Sequence, residues 1–211
     1  MKAVPTSNNM AMTPSWSLCV YCGSRFGDQE AYREAAEATG RLLAQTGGRL
    51  VYGGGRVGLM GTVADGALAH GASVVGVIPD ALMKREVGHA GVQELHVVQT
   101  MHERKMLMAE QSDAFLALPG GIGTMEEVFE MWSWQQLGYH AKPVGLLNVA
   151  GYYDALIVFL REGLERGFLS AEQHAALLVD DDLPRLMEAL RLRALAVRGA
   201  AAKTEIGRAH V

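Results

Sequence analysis

The residues best suited to chemistry lie together in Pro119-Gly120-Gly121-Ile122-Gly123-Thr124-Met125-Glu126-Glu127. This stretch joins an apolar run to a helical pattern. Its glycines let the backbone fold tightly, so that several N–H groups can point at one anion. The helix that follows adds the positive end of its dipole, and Thr124 can add a hydroxyl donor. The arrangement reads as a phosphate cradle rather than a bare turn. Glu126 reads equally well as a solvated acid that complements the dipole. Glu127 does not, because a phosphate repels a carboxylate beside it. Its charge better suits a ribosyl centre that gains positive charge as a glycosidic bond breaks.

Two further clusters accompany it. In Met101-His102-Glu103-Arg104-Lys105, two cations fall early in a helix, where the dipole does not favour them. They call for an anionic ligand or a carboxylate partner, and an Arg can grip either with a two-pronged fork. The competing reading is an exposed basic turn paired with Glu103 or Glu110. The second cluster is Gly53-Gly54-Gly55-Arg56-Val57-Gly58-Leu59-Met60-Gly61. Gly53, Gly55 and Gly58 spell G-x-G-x-x-G, and Asp80 follows where a ribose-binding acid could sit. That pattern normally follows the first strand, not the second. It is therefore expected to be a second glycine wall of a nucleotide pocket; close helix–strand packing is the alternative.

Other residues read as structural. Cys19 and Cys22 spell C-x-x-C, but inside a strand and with no second pair to complete a zinc site. His70, His89, His96, His140 and His174 show no metal spacing. Trp132 and Trp134 suit a core or an interface. A helix face with Phe129, Met131, Trp132 and Gln136 is expected to suit a dimer contact.

The elements that must position these clusters alternate. Strands are predicted at Ser17–Cys22, Arg49–Tyr52, Ser73–Ile78, Glu94–Gln99, Ala114–Leu118, Val144–Asn148 and Leu177–Val179. Helices are predicted from Asp28, as a cap, to Gln45, then over Leu59–His70, Met101–Gln111, Gly123–Leu137, Tyr152–Arg166 and Leu183–Leu195. Near-continuous apolar strands separated by helices predict an α/β fold: a single-domain, Rossmann-like, doubly wound parallel sheet flanked by helices. The domain is expected over residues 16–196. Residues 1–15 are expected to be a flexible tail and 197–211 a disordered one. The last seven residues, Glu205 to Val211, resemble a translated sequencing-adapter read-through and carry no functional signal.

Composition narrows the classes. The 211 residues are 49% hydrophobic and 20% charged, as in ordinary globular proteins. A net charge of −4 gives no global basic field for nucleic acid. No apolar run reaches membrane length. Two cysteines make no disulfide framework, so a cytoplasmic, reducing location is expected.

From Ser17 to Phe168 the chain resembles the LONELY GUY proteins, the cytokinin riboside 5′-monophosphate phosphoribohydrolases. P-G-G-x-G-T-x-x-E is met in full from Pro119 to Glu127. Gly53–Gly61, Met101–Lys105 and Lys142-Pro143-Val144-Gly145-Leu146-Leu147-Asn148 are also similar to that family. The resemblance implies Arg104 and Glu127 as the catalytic pair. It implies a substrate site of Gly54, Glu86, Arg104, Lys105, Gly120, Gly121, Ile122, Gly123, Thr124, Met125, Glu126, Glu127 and Ser133. Ser133 stands where plant members carry Thr, so a hydroxyl is kept. The compact length is similar to the dimeric branch, which implies a homodimer. The implied reaction hydrolyses an adenosine 5′-monophosphate, N6-substituted or plain, to free base and ribose 5-phosphate, with no metal or cofactor. An older label of some members, lysine decarboxylase, would need a Lys set up for pyridoxal phosphate; Lys105, beside an Arg, has no such setting. The alternatives are a non-catalytic nucleotide-binding module and a nicotinamide-dependent oxidoreductase.

Overall fold

The computed structural model describes residues 14–83 and 88–208. Among the described residues, seven strands form one parallel sheet: β1 (Trp16–Tyr21), β2 (Gly48–Tyr52), β3 (Val74–Pro79), β4 (Glu94–Val98), β5 (Ala114–Ala117), β6 (Val144–Leu147) and β7 (Leu177–Asp180). Their order is β4-β3-β2-β1-β5-β6-β7. The order turns back between β1 and β5, which pair in parallel with Leu18 opposite Ala114. Crossovers leave on opposite sides of that pair, so a crevice must open beyond their carboxyl ends.

The helices are α1 (Glu30–Gln45), α2 (Gly58–Ala69), α3 (Asp80–Met83), α4 (Met101–Glu110), α5 (Ile122–Gln136), α6 (Asp154–Glu165), α7 (Ala171–Ala176) and α8 (Leu183–Arg208). Side chains alternate across β1. Leu18 and Val20 pack into one core with α1, α2 and α8 residues such as Ala36, Val63 and Leu190. Cys19 and Tyr21 face the other, with Met108 of α4, Val128 of α5 and Leu160 of α6. Such two-sided burial explains why β3, β5 and β6 are apolar without a break, whereas the edge strand β4, with Glu94 and His96, is partly exposed.

The alternating pattern predicted every strand to within a residue or two, and the long helices nearly as well. Four details differ. Gln29, not Asp28, occupies the N-cap of α1, and no side chain caps it. The short α3 and α7 are not predicted, because neither carries a full apolar period. The final helix passes Leu195 and runs to Arg208, so the expected disordered tail is helical that far. Of the expected N-terminal tail, residues 1–13 lie outside the described residues. Ser15 is tied down: its N–H and hydroxyl both donate to the Gly47 carbonyl, at 3.0 and 3.1 Å.

Candidate functional site

A cleft of about 570 Å³ opens where the strand order turns back. Its walls come from four places. The loop after β1, Cys22 to Gly27, forms one side, and Pro119 to Thr124 with Glu126 and Glu127 forms the other. Leu59 and Met60 open α2, and Met101 and Arg104 project from α4. Tyr32, Leu82 and Tyr152 complete it.

The Pro119–Thr124 stretch turns directly from β5 into α5. Gly121 is the N-cap and has no side chain to offer, so the first-turn N–H groups of Ile122, Gly123 and Thr124 have no partner inside the helix. The Met125 N–H donates back to the Gly121 carbonyl at 3.2 Å and closes that turn. Thr124 is buried, and its side chain packs so tightly on Gly120 that a Cβ there would overlap it. Gly121 and Gly123 face open space. An uncapped helix end lining a cleft is an anion site by construction.

Arg104 enters from α4. That helix starts with a reciprocal cap: the Glu103 N–H donates to Thr100 Oγ1 at 3.1 Å, and the Thr100 N–H to Glu103 Oε2 at 3.2 Å. Glu103 is thus spent on the helix end and is not the partner of the basic pair. Arg104 is only 5% exposed, and its Nη2 donates to the Gly53 carbonyl at 3.1 Å. Lys105 is 7% exposed, with Nζ donating to Glu126 at 2.5 Å and to Glu130 at 3.1 Å. Burial alone would lower the Lys105 pKa; its bonds to Glu126 and Glu130 outweigh that and raise it. An exposed basic turn is therefore excluded. The two cations are divided: Arg104 lines the cleft, whereas Lys105 locks α4 to α5 and steadies Glu126 from behind.

The glycines after β2 do not form the expected wall. A Cβ on Gly53 would overlap the Arg104 guanidinium, and one on Gly58 the Ser24–Arg25 backbone. A Cβ on Gly54 would press on Ile78 and Leu95. They are packing glycines, and the cleft wall there is Leu59 and Met60. None of Gly53, Gly54, Gly55 and Gly58 lines the cleft, so the pattern offers no pyrophosphate seat there.

Of the expected site residues, the cleft thus gathers Arg104, Gly120, Gly121, Ile122, Gly123, Thr124, Glu126 and Glu127. Gly54, Lys105, Met125 and Ser133 are not among its lining; Ser133 is exposed farther along α5. Glu86 lies outside the described residues. Met131 and Trp132, expected at a dimer contact, are buried in the core instead. The loop after β1 carries no functional signal in the sequence, because Gly23-Ser24 reads as a plain strand end. It is held by its neighbours: Gly23 N–H donates to Pro119 O and Leu59 N–H to Gly23 O, both at 3.0 Å. Cys22 lines the cleft, but burial first and Glu127 second push its thiol well above the usual range. Burial likewise pushes Cys19 up to about 12. Neither thiol is a nucleophile at neutral pH.

The family described as "Possible lysine decarboxylase" matches residues 60–190. A probable cytokinin riboside 5′-monophosphate phosphoribohydrolase of Oryza sativa subsp. japonica is 54% identical over 155 residues, 74% of this chain and 70% of the relative. The cytokinin riboside 5′-monophosphate phosphoribohydrolase of Rhodococcoides fascians is 45% identical over 192 residues, 90% of this chain and 96% of the relative. Among solved structures, the molybdenum cofactor carrier protein of Chlamydomonas reinhardtii superposes with a TM-score of 0.63 at 22% identity, covering 85% of this chain and 98% of its own, a likeness of fold alone. On the relatives' identity and coverage, the chain belongs to the LONELY GUY family, whose named members are cytokinin riboside 5′-monophosphate phosphoribohydrolases.

Proposed function

We propose that this chain hydrolyses the N-glycosidic bond of an adenosine 5′-monophosphate, N6-substituted or plain, releasing the base and ribose 5-phosphate. The observation that carries the reading is the uncapped start of α5 facing the same cleft as Glu127 and the buried Arg104. The Gly120–Thr124 stretch holds the 5′-phosphate, which fixes the sugar and presents C1′. Water adds to C1′ as the C1′–N9 bond breaks, and the base leaves with a proton. Glu127, one turn into the helix, stabilises the oxocarbenium-like transition state or aims the water. Arg104 holds the phosphate or a carboxylate and eases charge onto the leaving base. Glu126, held by Lys105, borders the substrate.

The enzyme acts in the cytoplasm as a homodimer, with small nucleotides and not nucleic acid as its partners. Support for the dimer comes from apolar side chains exposed away from the cleft: Met106 on α4, and Leu137 and Tyr139 just beyond α5. Light scattering on the eluting protein should give twice the chain mass; a monomer at micromolar concentration contradicts it.

The direct test is product analysis after incubation with AMP and N6-isopentenyl-AMP side by side. Free base and ribose 5-phosphate are expected. Glu127→Gln should lower turnover by about 10²-fold or more with the nucleotide still bound. Unchanged turnover removes Glu127 from the chemistry. Nucleotide binding with no base release over hours would favour a non-catalytic binding module.

A further inference from the structure

Three successive carbonyls lead from β5 into the glycine loop, and each accepts a hydrogen bond from a different donor. Tyr153 Oη donates to Leu118 O at 2.6 Å, Gly23 N–H to Pro119 O at 3.0 Å, and Tyr152 Oη to Gly120 O at 2.5 Å. In a planar trans peptide the C=O and the next residue's N–H point in opposite directions. Holding Pro119 O therefore aims the Gly120 N–H, and holding Gly120 O aims the Gly121 N–H away from Tyr152. Glycine peptides rotate more freely than others, so these two units gain most from being held.

The tyrosines are themselves held in place. They follow β6 through a turn in which Ala150 adopts a left-handed conformation (φ 49°, ψ 34°), unusual for a residue with a Cβ. Such a conformation persists only where its surroundings impose it. The Tyr153 N–H donates to Asn148 Oδ1 at 2.7 Å, and Asn148 Nδ2 donates to Asp154 Oδ1 at 2.7 Å. The Tyr152 ring meets Tyr32 and Tyr153 edge-on, with centroids 5.6 and 4.9 Å apart. Tyr153 is buried, while Tyr152 is 42% exposed and lines the cleft.

We infer that Tyr152, backed by Tyr153, is a positioning residue: its hydroxyl latches the Gly120 carbonyl and so points the Gly121 N–H at the phosphoryl group of the ligand. The inference rests on the proposed phosphate site and deepens it.

The test is Tyr152→Phe, which keeps the ring. Its partial exposure means that losing one hydroxyl leaves the fold intact. Calorimetry with ribose 5-phosphate and with adenosine is set beside kcat and KM on AMP and the melting temperature. The Kd for ribose 5-phosphate and the KM for AMP should rise about threefold to tenfold, the effect of one hydrogen bond. The Kd for adenosine should not move, and kcat/KM on AMP should fall by at least the factor by which KM rises. Wild-type affinity for ribose 5-phosphate overturns the latch, as does equal weakening of ribose 5-phosphate and adenosine. Tyr153→Phe should weaken ribose 5-phosphate in the same sense but also lower the melting temperature, since it strips a buried carbonyl of its donor. A wild-type protein that binds ribose 5-phosphate without cleaving AMP sinks the hydrolytic reading alone, and the Kd comparison still decides the latch. A wild-type protein that does not bind ribose 5-phosphate overturns both.

Discussion

The two glycine-rich loops look alike in sequence and are used in opposite ways. In Gly120-Gly121-Ile122-Gly123, the second and third glycines face open space beside the cleft. In Gly53–Gly61, four of the five glycines are closed in by protein: Arg104 at Gly53, Ile78 and Leu95 at Gly54, the Ser24–Arg25 backbone at Gly58, and the Arg56 carbonyl at Gly61. The first loop leaves space for a ligand. The second lets other parts of the molecule come close enough to surround that space. Glycine content alone does not separate the two cases; what lies where the missing Cβ would be does.

The sharpest way to break this contrast is Gly58→Ala. Gly58 has φ +57°, and an added Cβ would strike backbone that cannot swing aside. Left-handed strain plus overpacking should cost about 3 kcal/mol of folding stability, read by denaturant unfolding. A loss under about 0.5 kcal/mol would mean that the loop is slack. Next is Gly53→Ala, which must push the Arg104 guanidinium. It should cost about 2 kcal/mol and raise KM, because the displaced group lines the cleft. A normal KM would separate Arg104 from the substrate. The smallest free-energy effect is expected from Gly121→Ala. Its backbone is extended (φ −89°, ψ −154°), which alanine adopts without strain. Stability should stay within about 0.5 kcal/mol. The methyl intrudes on ligand space, so KM on AMP should still rise about tenfold. A destabilised protein with normal KM would reverse the assignment of the two loops.

The sheet was legible in the sequence because buried parallel strands are apolar on both faces and glycine marks their ends. The phosphate loop was legible because its glycines, Thr124 and the start of α5 adjoin in the chain. The rest of the cleft was not. Tyr152 and Tyr32 reach it only through the packing of the turn after β6 against α1. The Cys22–Gly27 loop carries no motif and becomes a wall only because β1 pairs with β5. Lys105 stands outside the cleft lining for a related reason: two adjacent helical residues point about 100° apart. Arg104 faces the cleft, while its neighbour turns to Glu126 and Glu130. The same periodicity puts Met131 and Trp132 in the core and leaves Ser133 and Leu137 exposed.

The most direct measurement is a crystal structure of Glu127→Gln with AMP bound. The account predicts the phosphoryl oxygens within hydrogen-bond reach of the main-chain N–H groups of Gly121 to Thr124, and the anomeric carbon facing residue 127. A phosphoryl group seated against Gly53–Gly58, or residue 127 turned from the sugar, would contradict it.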